Sequence, residues 1–281
     1  MKDTKISWAH GTVNFWIGCH MVDRECEGCY ADTLIRRNGG DFQTLRLTKT
    51  WKTAYEIDAS AGAEGGTKII FTCSLSDFFH LQSDPWRADA WRVIKDCTNV
   101  RWLVLTKRPE RILDHLPADW GDGYPDVWLG TTVGKPSSYH RLETLNQVPC
   151  ALRFISVEPL LASVQDIPLE GIGWVAVGGM SGSLHKSRRM KLAWAYEVYQ
   201  RCQEAGIPYL YKQSSDIYTE RGIDGLARYI ARVEGKPYDP SHALIRQYPV
   251  TDPPLLPFAE HGKRYDDEQW LQLVKISGVT L

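Results

Sequence analysis

Three of the seven cysteines lie within eleven residues of one another, at Cys19, Cys26 and Cys29. Cysteine thiolates bind zinc and iron–sulfur clusters. Structural zinc usually has four protein ligands, often as two close pairs, but no second CxxC pair follows in this sequence. His20 could complete a zinc shell, although ligands adjacent in sequence are geometrically awkward. Three thiolates without a clear fourth ligand favour a four-iron cluster with one iron open to a substrate or cofactor; a zinc loop or buried free cysteines are the alternative.

The other cysteines and the chain's apolar runs indicate a reducing, aqueous compartment. Cys73, Cys97, Cys150 and Cys202 are scattered through apolar segments, where we expect them to pack as small hydrophobic side chains. An odd number of cysteines in a chain of this length argues against a disulfide framework. Residues 1–7 lack the apolar stretch of a secretory signal, and no apolar run is long enough to span a membrane. We therefore expect a soluble, cytoplasmic protein that is not secreted.

Charge is balanced over the chain, with 33 basic and 34 acidic residues. This balance excludes a histone-like mode of DNA binding, although a local basic patch is sufficient to neutralise phosphates. The stretch 186–191 contains two lysines and two arginines among six residues; it could hold DNA phosphates or form a solvated loop. No Ser-His-Asp, paired-carboxylate or phosphate-loop signature supports hydrolase or kinase chemistry.

The elements that must position these residues are β-type runs, each ending in polar residues and followed by a helical segment. Near-continuous apolar strands are typical of a parallel sheet covered by helices. Helices are predicted at 192–205, closed by Gly206, and at 86–97, with Pro85 near the start. The cysteine cluster precedes the first clear run. The runs comprise residues 68–73, 101–106, 127–132, 152–159, 173–177 and 207–212.

This pattern predicts an α/β fold, a complete or partial (β/α) barrel with mostly parallel strands. An open doubly wound sheet is the alternative. The barrel is expected to span residues 1–213, and residues 214–281, interrupted by prolines at 253 and 254, form a C-terminal extension. Chemistry in such barrels gathers at the carboxyl ends of the strands. The polar or small residues there are Ser74, Ser76, Asp77, Thr106, Lys107, Arg108, Thr131, Ser156, Glu158, Gly178, Gly179, Ser181, Lys212 and Gln213.

Several motifs in a fixed order carry a family resemblance. They are Trp8, the segments 18–19 and 26–31, and the runs 105–109, 156–161 and 178–182. Together they resemble the phage-associated three-Cys-motif family of radical S-adenosylmethionine (SAM) proteins, which is distantly similar to spore photoproduct lyase. The resemblance covers residues 6–213, and it includes the six residues between the first two cysteines, where typical radical SAM enzymes have three. Met180 departs from it, because relatives commonly carry an acidic residue there.

The resemblance implies a 4Fe-4S cluster on Cys19, Cys26 and Cys29, with SAM bound to the fourth iron. One-electron reduction by an external reductant then yields a 5′-deoxyadenosyl radical from SAM. Tyr30 is expected near the adenine, or alternatively as a core aromatic that opens a helix. The remaining SAM-binding candidates are Ser74, Ser76 and Asp77 for the ammonium (Asp77 alternatively as an N-cap), Thr106 at its strand end, Glu158 for the ribose, and Gly178 and Gly179 for close backbone approach.

The resemblance also implies a substrate in viral DNA. Some phage members isomerise N-linked glycinylthymine to its Cα-linked form, a step of thymidine hypermodification that protects phage DNA from host restriction in the host-cell cytoplasm. Such a site needs a cation for the glycine carboxylate, and an arginine can grip it in a bidentate manner. The candidates are Arg188 and Arg189, then Lys212, together with Lys107 for a carboxylate or phosphate.

Two other functions are compatible with the sequence. One is a radical SAM enzyme that acts on another nucleic-acid lesion or on a small molecule. The other is a zinc- or cluster-containing nucleic-acid-binding module without turnover. The eleven tryptophans offer stacking surfaces for an extruded base, but those within strands, such as Trp102, Trp128 and Trp174, are more simply explained as core residues.

Overall fold

The computed structural model describes residues 6, 8–216, 222–238 and 245–249. Its strands are β1 (Gly11–Val13), β2 (Trp16–Ile17), β3 (Arg46–Leu47), β4 (Lys68–Thr72), β5 (Val100–Thr106), β6 (Val127–Thr132), β7 (Leu152–Val157), β8 (Trp174–Gly178) and β9 (Tyr209–Gln213). Its α-helices are α1 (Tyr30–Arg37), α2 (Lys52–Ala63), α3 (Asp84–Asp96), α4 (His140–Asn146), α5 (Leu192–Ala205) and α6 (Gly225–Val233).

Seven of the strands form one sheet in the order β1-β4-β5-β6-β7-β8-β9, and every neighbouring pair is parallel. The two remaining strands, β2 and β3, form a separate antiparallel pair. Strand order in the large sheet follows chain order without a reversal. A doubly wound sheet reverses direction at a switch point, so that alternative is wrong, whereas the prediction of an α/β fold with parallel strands is confirmed.

The sheet curls around the indole of Trp8. This ring lies 4.9 Å from the ring of Phe71 on β4 and 5.6 Å from the ring of Trp174 on β8, centroid to centroid. Since three strands separate β4 from β8, one side chain can contact both only if the sheet bends into a trough. No hydrogen-bonded pairing links β1 to β9 within the described residues. The fold is therefore a partial (β/α) barrel, open along one side.

Alternate strand residues face the inside and the outside of the trough. The inner face is a cluster rich in aromatic side chains that includes Trp128, Phe154 and Trp174. The outer face packs against the helices, and Trp102 lies there with Trp91 of α3. All three strand tryptophans singled out in the sequence are thus core residues. No helix among the described residues has the length and apolar character needed to cross a membrane.

The predicted elements agree closely with the observed ones. Each of the six predicted runs overlaps a strand of the sheet, with ends that differ by two residues or fewer. Helix α5 has the predicted bounds, and Gly206 closes it with a left-handed φ of 66°. Helix α3 begins two residues before the predicted start, at Asp84, with Pro85 in its first turn.

One strand of the sheet was not predicted. The cysteine cluster precedes the first clear run as expected, but the short strand β1 comes before the cluster and pairs with β4. A strand of three residues between His10 and Asn14 is too short to show an apolar pattern. Gly11 in this strand packs directly on α2, since a Cβ there would lie 2.6 Å from Cδ1 of Ile57.

The described parts of the predicted C-terminal extension pack on the barrel. Helix α6 contacts α5, where the rings of Tyr229 and Tyr196 lie 5.8 Å apart. Residues 245–249 run antiparallel to β9, and the amide of Tyr211 donates to the carbonyl of Ile245 at 2.7 Å. The ring of Tyr248 lies 5.3 Å from that of Trp174. The proline-containing stretch at 252–254 lies outside the described residues.

Candidate functional site

The carboxyl ends of the strands surround a cavity of about 580 Å³. This volume is in the range of pockets that bind small molecules and cofactors. Twelve of the fifteen predicted site residues line it: Cys19, Cys26, Cys29, Tyr30, Ser74, Ser76, Asp77, Thr106, Lys107, Glu158, Gly179 and Lys212. The other three, Gly178, Arg188 and Arg189, are not on its wall.

The cysteines lie in a loop that leaves β2 and ends at α1. Cys19 follows β2, Cys26 ends a short 3₁₀ turn, and Cys29 directly precedes the first residue of α1. All three thiols are free and partly buried on the cavity wall. Gly28 has a φ of 73° and packs against Leu184. The remaining cysteines behave as expected, since Cys73, Cys97 and Cys202 are buried and Cys150 is partly buried.

Three thiols are a donor set of the kind that an iron–sulfur cluster takes. Among the described residues, no three His, Cys, Asp or Glu side chains converge closely enough to hold one metal ion. Zinc requires its ligands within about 2.0–2.3 Å of one point, whereas an iron cube takes each thiolate on a different iron. Burial raises the pKa of Cys19 to about 12, with a further contribution from Asp77. Metal binding at Cys19 would therefore displace a thiol proton.

Hydrogen bonding also argues against His20 as a zinc ligand. Nδ1 of His80 accepts from the amide of Gln82 at 3.1 Å, so the His80 proton is on Nε2. That Nε2–H donates to Nδ1 of His20 at 3.1 Å. Burial lowers the pKa of His80 to about 4, assisted by the charge of Arg108, and keeps the ring neutral. Nδ1 of His20 is therefore already engaged as a hydrogen-bond acceptor.

Arg108 is a site residue that the sequence identified only as one polar strand end among many. Its Nη1 lies 3.8 Å from Sγ of Cys19 and 3.0 Å from Oδ2 of Asp77. Its Nη2 donates to the carbonyl of His20 at 2.8 Å. One guanidinium thus links the first cysteine to the end of β4. The signals in the sequence were its position two residues after β5 and its place in the run 105–109, which carries the family resemblance.

Asp77 is buried, and its carboxylate accepts four hydrogen bonds. The Thr106 hydroxyl and the Phe79 amide donate to Oδ1 at 2.7 and 2.9 Å. The Lys107 amide and the Arg108 guanidinium both donate to Oδ2 at 3.0 Å. Asp77 therefore joins the ends of β4 and β5. Its bond to the amide of Phe79, two residues on, is the local turn contact expected if the residue had a structural role.

Tyr30 and the two serines form a second group on the wall. The Tyr30 hydroxyl donates to the carbonyl of Ser74 at 2.6 Å, and the Tyr30 side chain is 44% exposed. Tyr30 opens helix α1, as its alternative role predicted, but its side chain is exposed rather than part of the core. The side-chain amide of Asn14 donates to the hydroxyl of Ser74 at 3.2 Å. The hydroxyl of Ser76 donates to the carbonyl of Gly18. Asn14, which follows β1, was missed because β1 itself gave no pattern.

The ends of β7 and β9 hold an ion pair on the cavity wall. The ammonium of Lys212 binds Oε2 of Glu158 and lies 4.4 Å from the ring of Trp8. Nε2 of Gln213 donates to Oε1 of Glu158 at 2.6 Å. Both charges in this pair are therefore already matched by a neighbour.

The glycine pair at the end of β8 is closely packed against the chain's own atoms. A Cβ on Gly179 would lie 2.4 Å from the amide nitrogen of Ser215, and one on Gly178 would lie 2.9 Å from Nε2 of Gln213. Backbone packing thus requires glycine at 179, whereas a Cβ at 178 would meet only the ends of the Gln213 and Glu158 side chains. Met180, at the position where the resemblance expects an acid, is buried and lines the cavity.

The predicted cations differ in whether they are available to a ligand. Arg188 donates to the carbonyls of Arg24 and Glu27, both at 2.7 Å, and so holds the cysteine loop. Arg189 is exposed and lies off the wall. Lys107 is half-buried on the wall, and no carboxylate of the described residues pairs with its ammonium. Lys107 is therefore the predicted cation that the geometry leaves available for an anionic group.

A family model described as a protein of unknown function (DUF5131) matches residues 3–270. The match includes the whole barrel and most of the predicted C-terminal extension. No curated protein matches the chain, and neither does any solved structure. We therefore infer the function from the residues and contacts of the cavity.

Proposed function

The chain belongs to the DUF5131 family, and we propose that it is a radical SAM enzyme which binds a 4Fe-4S cluster and SAM in the cavity at the mouth of the partial barrel. One observation carries this proposal. Three free cysteines and the polar ends of β4, β5, β7 and β9 share the wall of a single cavity. The ordered motifs that resemble radical SAM proteins supply most of these residues.

The residues around the cavity have separate tasks in this proposal. Cys19, Cys26 and Cys29 hold three irons, and the bound cluster with SAM supplies a carbon-centred radical after reduction by an external one-electron donor. Asp77 and Arg108 fix the wall beside Cys19, because each bonds to more than one strand end or loop. A wall already hydrogen-bonded before the ligand arrives needs little reorganisation on binding.

The substrate proposed is N-linked glycinylthymine in viral DNA, converted to the Cα-linked isomer. The glycine Cα–H lies between an amine and a carboxylate, so the radical left by hydrogen abstraction is delocalised. The bond from the thymine methylene to nitrogen breaks and its bond to Cα forms. The hydrogen lost from Cα is matched by one gained at nitrogen, so there is no net redox change. Lys107 binds the glycine carboxylate in this scheme.

DNA binding is supported by the location of the basic stretch 186–191. Arg188 in this stretch contacts the cysteine loop, which places its exposed neighbours Lys186, Arg189 and Lys191 near the cavity mouth. Exposed cations are available for phosphate contacts. A thymine must leave the base stack to reach an enclosed site.

Anaerobic reconstitution with iron and sulfide tests the cofactor. We expect wild-type protein to bind about four irons, to show the absorbance of a 4Fe-4S cluster, and to cleave SAM to 5′-deoxyadenosine with reductant. Serine variants of Cys19, Cys26 and Cys29 should lose both properties. The matched control is Cys202→Ser, which alters a buried thiol within α5 and should retain them.

The substrate is tested with DNA that carries the N-linked glycinyl base, followed by digestion and mass spectrometry of the nucleosides. An isomer of unchanged mass and altered retention supports the proposal. A colourless protein holding a tetrahedral zinc ion would overturn the proposed function. SAM cleavage without conversion of glycinyl DNA would retain the cofactors and overturn the substrate, leaving another lesion or a small molecule.

A further inference from the structure

The loop between the first two cysteines contains a fully buried acid. The side chain of Glu25 has no exposed surface, and its Oε2 lies 2.8 Å from Nη1 of Arg141. Its Oε1 accepts from the amide of Gly134 at 3.1 Å and from the hydroxyl of Ser138. The carboxylate is thus surrounded by donors from the segment that follows β6.

A second acid of the loop binds the same guanidinium. Nη2 of Arg141 donates to Oδ2 of Asp23 at 2.8 Å, and the Arg141 side chain is 2% exposed. Oδ1 of Asp23 also accepts from the amide of Glu25 at 2.7 Å. Removing one partner of a buried ion pair leaves the other charge unpaired, which is strongly unfavourable. The three charges therefore hold the loop in one place.

These contacts carry the loop across the mouth of the trough. The loop begins near β1, the first strand of the sheet, whereas Arg141 is on α4, after β6, the fourth strand in the sheet order. The Arg188 guanidinium, which follows β8, holds the loop carbonyls of Arg24 and Glu27 on either side of Cys26. The loop is thus attached to three separate parts of the sheet.

We propose that Glu25 and Arg141 are positioning residues which hold the loop of residues 19–29 preformed over the cavity before any cluster is bound. The spacing of six residues between Cys19 and Cys26 is then explained, because the loop must reach α4 and return. The role of the loop in holding a cluster rests on the proposed function, but its preformed state does not.

Hydrogen exchange and thiol alkylation of the metal-free protein test the proposal. Glu25→Gln keeps the shape of the side chain and removes its charge. We expect at least tenfold faster amide exchange in residues 19–29 and at least tenfold faster alkylation of Cys26, at temperatures where the variant remains folded. The matched control is Asp126→Asn, which breaks the ion pair with Arg101 at the other end of β6 and should leave the loop unchanged.

The same variants are then reconstituted with iron and sulfide. Glu25→Gln should bind less than half as much cluster as Asp126→Asn at equal folded fraction. If Glu25→Gln does not fold, Asp23→Asn replaces it, because the Asp23 side chain is 26% exposed and shares the contact with Arg141. Unchanged loop exchange in whichever variant folds would overturn the proposal. If the loop of the variant loosens as expected but the wild-type protein binds no cluster, the proposal stands and only the proposed function is overturned.

Discussion

At the level of single residues, two lysines on the cavity wall are in different electrostatic situations. Lys212 is matched by Glu158 and rests against the ring of Trp8. The ammonium of Lys107 has no such carboxylate partner in the described part of the chain. An ammonium that is half-buried and unpaired gains most from an anionic ligand, because the ligand supplies the missing charge-assisted hydrogen bond.

Lys107→Met should therefore weaken binding of the glycinyl substrate. Loss of one charge-assisted hydrogen bond costs about 1.5–3 kcal/mol, which corresponds to a KM increase of roughly 10- to 150-fold. The KM for glycinyl DNA is measured beside cluster content and substrate-free SAM cleavage, both of which should stay near wild type. Lys52→Met, on the exposed surface of α2, is the control. If SAM cleavage fell instead, Lys107 would belong to the cofactor and its substrate role would be wrong.

The sequence could locate these strand-end residues but not their partners. Asp77 and Lys107 could be selected because each follows an apolar run, Lys107 directly and Asp77 after three residues. That Asp77 binds Arg108, or that Glu158 binds Lys212, depends on which strand ends meet in space. Glu25 was missed because an acid in a polar loop gives no sign that it is buried.

At the level of elements, predictability followed length and apolar character. The five long strands from β4 to β8 and helix α5 have continuous patterns that fix their type and their ends. Strand β1 has only three residues, too few to show an apolar pattern. Its strand conformation is fixed by its pairing with β4. Helix α3 begins at Asp84, which pairs with Arg87 in the first turn and with Arg111 outside the helix.

Asp84 should stabilise α3 in a pH-dependent manner. Burial alone would raise its pKa, but hydrogen bonds from Arg111 and Arg87 outweigh burial and hold the pKa below its ordinary value of 3.8. A lowered native pKa means that the stabilisation is complete above that ordinary value and is lost as the pH falls through it toward the native one. Asp84→Asn should lower the free energy of unfolding by about 1–3 kcal/mol at pH 7.

Urea unfolding at several pH values measures this effect. The difference between Asp84→Asn and wild type should shrink as the pH falls below about 4. Asp89→Asn, which breaks an exposed pair with Arg92 on the same helix, should change stability by less than about 1 kcal/mol. A difference for Asp84→Asn that is independent of pH would show that the carboxylate charge is not the cause.

At the level of the whole molecule, the trough depends on aromatic packing along its inner face. Trp8 contacts the rings of Phe71, Phe154 and Trp174, and Tyr248 covers Trp174 from the other end of the chain. The sequence predicted the parallel strands but did not decide between a complete and a partial barrel. Closure depends on contacts between distant segments, and neither Trp8 nor residues 245–249 lie in a periodic run.

Tyr248 offers a direct test of this packing. Its hydroxyl is buried and has no hydrogen-bond partner among the described residues. Tyr248→Phe should leave stability unchanged or raise it, since it removes an unsatisfied polar group. Tyr248→Ala should lower the free energy of unfolding by about 3–5 kcal/mol through loss of a buried aromatic ring. Urea titrations of both variants measure these changes. A Tyr248→Phe variant less stable than wild type would show that the hydroxyl does make a stabilising hydrogen bond.

The antiparallel segment 245–249 beside β9 has a consequence for biosynthesis. Each parallel strand can join the one translated before it, so the sheet can grow while the ribosome is still elongating the chain. The segment that shields Trp174 emerges after all of them. Until then the nascent chain carries an uncovered aromatic surface and a bare strand edge, both of which favour self-association. Translation that stalls shortly before residue 245 would therefore release a product that depends on chaperones.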